Sequence, residues 1–95
     1  MSERAYVCSK YVVEYATRAY SVEDFIEYVE QLRGECGFEW LVEWVNNDHT
    51  SWELNKELLE KAEKIDSLDK ELKEFCKYLL DNADKNLDYV KVEVF

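Results

Sequence analysis

The chain has 95 residues, 47% of them hydrophobic and 36% charged, with a formal net charge of −10 at pH 7. That length bounds it to a single domain over residues 1–95, with room for a real core but not for a deep cleft between two lobes. The hydrophobic share excludes a disordered acidic tail, and the acidity disfavours direct nucleic-acid binding, which needs a basic footprint.

Residues 5–17, AYVCSKYVVEYAT, fit two readings. Their valines, tyrosines and Thr17 suit a strand. Ala5, Cys8, Val12, Tyr15 and Ala19 would also line one face of a helix.

From Ser21 the pattern turns helical. Ser21 is placed to cap, with Asp24 three residues on, a weaker form of the capping box. Val22, Phe25, Ile26, Val29 and Leu32 share one face, and Glu23, Glu27 and Glu30 form an acidic row on another. Like charges at this spacing cost an isolated helix a few tenths of a kcal/mol each, so helix stability alone would not select the row. Gly34 suits the C-cap.

A second helix is expected from about Phe38 to Asn46. Phe38, Leu41, Val42 and Val45 would form one stripe, Trp40 and Trp44 a second row, and Glu39 and Glu43 a third. So apolar a circumference argues for burial on more than one side. Core is the favoured place for the tryptophans, and a partly exposed binding anchor is the alternative.

Asn46 to Thr50 reads as a polar loop. A third helix is expected from Trp52 to about Ile65, capped by Thr50 or Ser51, with Leu54, Leu58, Ala62 and Ile65 inward. Glu53, Glu57 and Glu60 repeat the acidic row, with Lys61 and Lys64 placed to pair with the latter two. A fourth helix starts at Asp66 or Ser67 and carries Leu68, Leu72, Phe75 and Leu79 at near-heptad spacing. After a turn over Asn82 to Asn86, Tyr89 to Phe95 alternates strictly. Val90, Val92 and Val94 lie on one side, Lys91, Glu93 and Phe95 on the other. A lone strand needs a partner for its backbone groups, and only the N-terminal segment has comparable β character. The fold expected is therefore α+β and mainly helical: about four helices on a small antiparallel pairing of the two ends. The alternative is all-α, with the N-terminal segment helical.

Charge is uneven along the chain. Residues 1–20 sum to +1, 21–63 to −9 and 64–95 to −2. The acidic middle favours a basic partner reached by long-range steering. Cys8, Cys36 and Cys76 are odd in number and lack CxxC spacing, which fits reduced thiols in a cytoplasmic protein better than a disulfide frame. No apolar run is long enough for a signal peptide or a membrane span, and the opening residues carry no lipidation signal.

No catalytic, cofactor or metal motif is present, so the chain reads as a non-enzyme. A dyad of Cys36 with His49 would lack an orienting group and oxyanion donors. Zinc would have to gather three cysteines and His49 without any close-spaced ligand pair. Glu35 between the two glycines would repel a phosphate, and calcium-loop spacing is missing.

Binding is the class that remains. The candidate partner-binding residues are Glu23, Glu27, Glu30, Glu39, Glu43, Glu53, Glu57 and Glu60. Successive carboxylates of a helical row have Cβ atoms about 5–6 Å apart, a scale similar to the phosphates of a nucleic-acid strand. A groove lined with Lys and Arg would meet both alike at long range, and Arg would grip either in bidentate fashion. In size, acidity and aromatic content the chain resembles the small phage and mobile-element inhibitors of host nucleases, anti-CRISPR and anti-restriction proteins among them. That resemblance of class implies a non-enzymatic protein in the host cytoplasm that mimics nucleic acid. Its partner would be a basic nucleic-acid-binding protein or a ribonucleoprotein such as a Cas effector. The alternative is a structural, oligomerisation or adaptor module that uses Trp40 and Trp44 or the C-terminal strand, with a homodimer left open.

Overall fold

The computed structural model describes residues 4–10 and 14–94, with side chains for 4–8 and 20–94. Val12 and Phe95, named above, fall outside the described residues, as do residues 1–3.

Five strands form one antiparallel sheet. β1 (Arg4–Lys10) and β2 (Glu14–Ser21) pair first, and α1 (Val22–Gly34) follows directly. β3 (Val42–Val45) and β4 (Ser51–Asn55) form a second hairpin. α2 (Lys56–Glu63) and α3 (Lys70–Asn82) then lead to β5 (Tyr89–Val94). The order across the sheet is β2-β1-β5-β4-β3, which leaves β2 and β3 as edges.

This corrects the expected fold. The molecule is α+β with a large antiparallel sheet, and among the described residues it has three helices, not four. The two ends do pair, with Ala5 opposite Val94 and Val7 opposite Val92. Yet they lie inside a five-stranded sheet instead of forming a small ribbon under helices. The all-α alternative falls with the same observation.

Two expected helices give way, wholly or in part, to strands. Residues 38–46 hold a connection and then β3. Residues 51–55 alternate instead of following a helical period: Trp52 and Leu54 are buried, while Ser51, Glu53 and Asn55 face the other way. The helix expected from Trp52 therefore starts only at Lys56. Its cap is Asn55, whose side-chain oxygen accepts from the Leu58 amide at 3.0 Å. Its buried residues are Leu59 and Ala62.

α1 starts as its sequence predicts, with Ser21 Oγ accepting from the Asp24 amide at 3.2 Å. It buries Phe25, Val29 and Leu32. Gly34 is its last residue rather than its cap. The chain turns away at Gly37, which sits at φ +78, in the region where glycine carries no Cβ penalty. α3 is capped later than expected, by Asp69, whose carboxylate accepts from the Glu71 amide at 2.9 Å.

The core lies between the helices and one sheet face. Leu54, Val7, Val90 and Val92 supply the sheet side, and Phe25, Leu32, Leu59, Phe75 and Leu79 the helix side. An aromatic cluster ties α1, α3 and β2 together. Phe75 meets Tyr20 edge-on with ring centroids 5.2 Å apart, and Phe25 meets Trp52 edge-on at 5.3 Å. Each fully buried large side chain contributes roughly 1.5–3 kcal/mol.

Candidate protein-binding surface

Among the described residues, the exposed large apolar side chains come from α1, the 35–41 connection and β3. Trp40 is 78% exposed, Trp44 46% and Ile26 37%. The expectation that both tryptophans sit in the core is overturned. With residues 38–46 not helical, Trp40 and Trp44 also share no row. Trp40 stands by the end of α1, in a hollow with Glu30, Arg33, Gly34 and Glu39. Trp44 sits opposite Glu53 in the β3–β4 ladder, on the sheet face away from the helices. There its ring is capped by Lys91, whose Nζ lies 4.9 Å from the ring centroid.

Beside that hollow runs a groove of about 480 Å³ between α1 and the edge strand. Ile26, Glu30 and Arg33 form its α1 wall, Val42 and Val45 its β3 wall, and His49 and Trp52 close one end. The β3 wall is held by a closely bonded hairpin turn. Asn46 Oδ1 accepts from the amides of Thr50 at 2.8 Å and Ser51 at 3.1 Å, and Asn46 Nδ2 donates to Thr50 Oγ1 at 2.9 Å. His49 takes φ +57 to complete the turn, and its carbonyl accepts from Trp52 Nε1 at 3.1 Å.

Of the rows that the sequence suggests, the eight candidate glutamates form only the one on α1. Glu23, Glu27 and Glu30 do lie exposed along α1. Within that row Glu27 accepts from Gln31 at 3.1 Å, and Glu30 pairs with Arg33 at 3.0 Å. Glu39 lies in the connection and Glu43 in β3, both exposed, so they make no helical pair. The second row is broken outright. Glu53 is on β4 and points away from the helices toward Lys91, at 3.6 Å, whereas Glu57 and Glu60 ride on α2. Glu57 in turn pairs with Lys61 at 3.6 Å.

The basic residues of the acidic middle are all held within the chain. Arg33 bonds Glu30 and reaches the Glu39 carbonyl at 3.5 Å. Lys56 donates to the carbonyls of Asp84 and Leu87 at 3.3 and 2.9 Å. Lys61 meets Glu57. Glu23, Glu39, Glu43 and Glu60 have no ion-pair partner among the described residues.

Cys36 and His49 are set against different neighbours. Cys36 lines a hollow with Gln31, Ile65 and Leu68, and burial, aided by Glu35, pushes its thiol up. Such a thiol is a poor nucleophile. Among the described residues no group of three acidic, histidine or cysteine side chains is placed to hold a metal ion. Among them also, no helix is long and apolar enough to cross a membrane.

Sequence reasoning missed the groove itself: Ile26, Arg33, Val42, Val45 and Trp52. The signal was there in VEWV and SWELN, two short β-prone runs joined by an Asn- and Asp-rich turn. Comparison with protein-family models, with curated proteins and with solved structures gives no match. What the geometry defines is an α+β domain with helices on one sheet face and an acidic, aromatic edge.

Proposed function

We infer that this chain is a non-enzymatic binding protein that occupies a basic surface of another protein through its acidic α1–β3 side. One observation carries the reading. Glu23, Glu27, Glu30, Glu39 and Glu43 are all exposed on α1, the connection and β3, while each cation of residues 21–63 is engaged inside the chain. Carboxylates displayed without neighbouring free cations project a net negative field and steer a basic partner. A surface that binds nucleic acid fits that description. The partner class is then a host nuclease, a Cas effector or another ribonucleoprotein in the cytoplasm, and the chain acts by blocking the polynucleotide path.

The test is capture from a nuclease-treated bacterial lysate on immobilised chain. Retained proteins should be basic nucleic-acid binders, released by 0.5 M salt and lost from a Glu23→Lys, Glu27→Lys, Glu30→Lys variant. Equal retention of the same proteins by both forms, insensitive to salt, would sink the electrostatic reading.

The exposure of Trp40 and Trp44 favours a second reading, an adaptor or oligomerisation module anchored on tryptophan, the residue most enriched at interface hot spots. Sedimentation separates the two. A stable homo-oligomer broken by Trp40→Ala supports the module.

A further inference from the structure

We propose that β3 is a docking strand, and that its occupant is an extended basic segment of the partner, added antiparallel or parallel to the edge of the sheet. This deepens the reading above and rests on its basic partner. The backbone supports it first. At the two ends of β3, Asn46 N donates to Ser51 O at 3.1 Å and Leu41 O accepts from Asn55 N at 2.7 Å, so residues 41 and 46 turn inward to β4. In an antiparallel ladder the neighbouring residues then direct their amides and carbonyls the other way, which here are Val42 and Val45. The irregularity between Val42 and Trp44 keeps both valines on the helix side of the sheet, opposite Leu54 and Trp52.

The side chains specify the occupant. Residues of an added strand alternate between two faces. Those facing the helix side would enter the groove against Ile26, Val42, Val45 and Trp52, and must be apolar. Those facing the other side would pass the half-exposed ring of Trp44, which already accepts one ammonium group over its face. Glu39 and Glu43 stand exposed nearby in sequence and without ion-pair partners among the described residues. A half-exposed ring that follows exposed Glu43 on the strand and sits opposite Glu53 favours Lys or Arg. The occupant is therefore an alternating apolar and basic segment, bound by strand addition. A second copy of this chain fits poorly, because each copy brings a net charge of −10 and a second Glu43 to the same edge.

The probe is the synthetic peptide acetyl-KVKVKVK-amide, titrated into the full 15N-labelled chain, with acetyl-EVEVEVE-amide as its control. Amide shifts are expected at residues 42–45 and at Ile26 and Arg33 with the basic peptide alone. Glu39→Lys with Glu43→Lys, two exposed positions, should weaken binding about tenfold or more. Val45→Pro removes the outward amide and should do the same, provided the remaining spectrum shows a folded chain. Shifts confined to Glu23 and Glu27, with β3 unmoved, would overturn strand addition yet leave the acidic-surface reading intact. Equal binding of both peptides at β3 would overturn the basic occupant and count against that reading too. Absence of any shift at millimolar peptide overturns the proposal, as does a β3 edge already covered by a second copy, seen as concentration-dependent shifts without peptide.

Discussion

Lys91 and Glu53 face each other across the β4–β5 ladder on the side of the sheet away from the helices, with Nζ 3.6 Å from Oε2. The lysine side chain is only 4% exposed and the glutamate 25%, so the cation has given up most of its water. Its charge is matched by Glu53 and by the face of Trp44, and its stem fills sheet surface. Lys91→Ala should therefore destabilise by about 2–4 kcal/mol, since it removes the stem and strands a partly buried carboxylate. Lys91→Met keeps the stem and should cost roughly half as much or less. Urea unfolding of the two variants checks the order. Equal losses would mean that charge, not packing, holds this position.

The hairpin turn gives a second expectation. Asn46→Ala deletes an acceptor for two amides and a donor to Thr50. At about 0.5–1.5 kcal/mol per net hydrogen bond, partly recovered by water at this half-buried site, the loss should be about 1–2 kcal/mol. Hydrogen exchange of the amides of residues 46, 50 and 51 should quicken more than that of Val7 or Val92, because the damage is local to β3–β4.

Trp40 and Phe75 form a contrasting pair. Phe75 is 0% exposed at the centre of the aromatic cluster, and Phe75→Ala should cost about 3–5 kcal/mol. Trp40→Ala, at 78% exposure, should change stability by no more than about 0.5 kcal/mol while weakening partner capture. Thermal melts of both decide whether Trp40 has any structural duty.

The buried thiol of Cys76 sets an alkaline limit. Burial first, and then the nearby Glu63, push it from the ordinary 9.0 up to about 12. The folded chain thus holds a proton that the unfolded chain releases between those values. Its contribution to stability is complete below pH 9 and is lost as pH rises toward 12. Unfolding midpoints measured from pH 8 to 11 should fall across that window, and Cys76→Ala, though less stable at pH 8, should show a shallower fall. In the native state at pH 8, iodoacetamide should modify half-exposed Cys36 well before Cys76.

Local signals in the sequence carried what local chemistry decides. Ser21 capping α1, the face of Phe25, Val29 and Leu32, the stripe of Leu72, Phe75 and Leu79, and the alternation of Val90, Val92 and Val94 all take part in elements of the expected type. Residues 38–55 misled because Trp40, Val42, Trp44 and Val45 spread apolar side chains over most of a helical wheel, a pattern that suits a buried helix and a short strand alike. What decides for strand is the turn over Asn46 to Thr50 and a neighbour, β5, far away in sequence. The second acidic row failed for the same cause: once Glu53 lies on a strand, period two sends it to the opposite side of the sheet from Glu57 and Glu60. Burial of Lys91 was equally hidden, since Glu53 across the ladder and Trp44 one strand beyond meet it only in the fold.

The hairpins β1–β2 and β3–β4 touch no common strand except β5, which the ribosome makes after both. Until residues 89–94 emerge, a growing chain has no strand to place between the two ribbons, each marginal by itself. Closing the sheet must then join segments from opposite ends of the chain, a slow topology for so small a molecule. β5 acts as a keystone, and trimming it should split the sheet in two instead of merely shortening it.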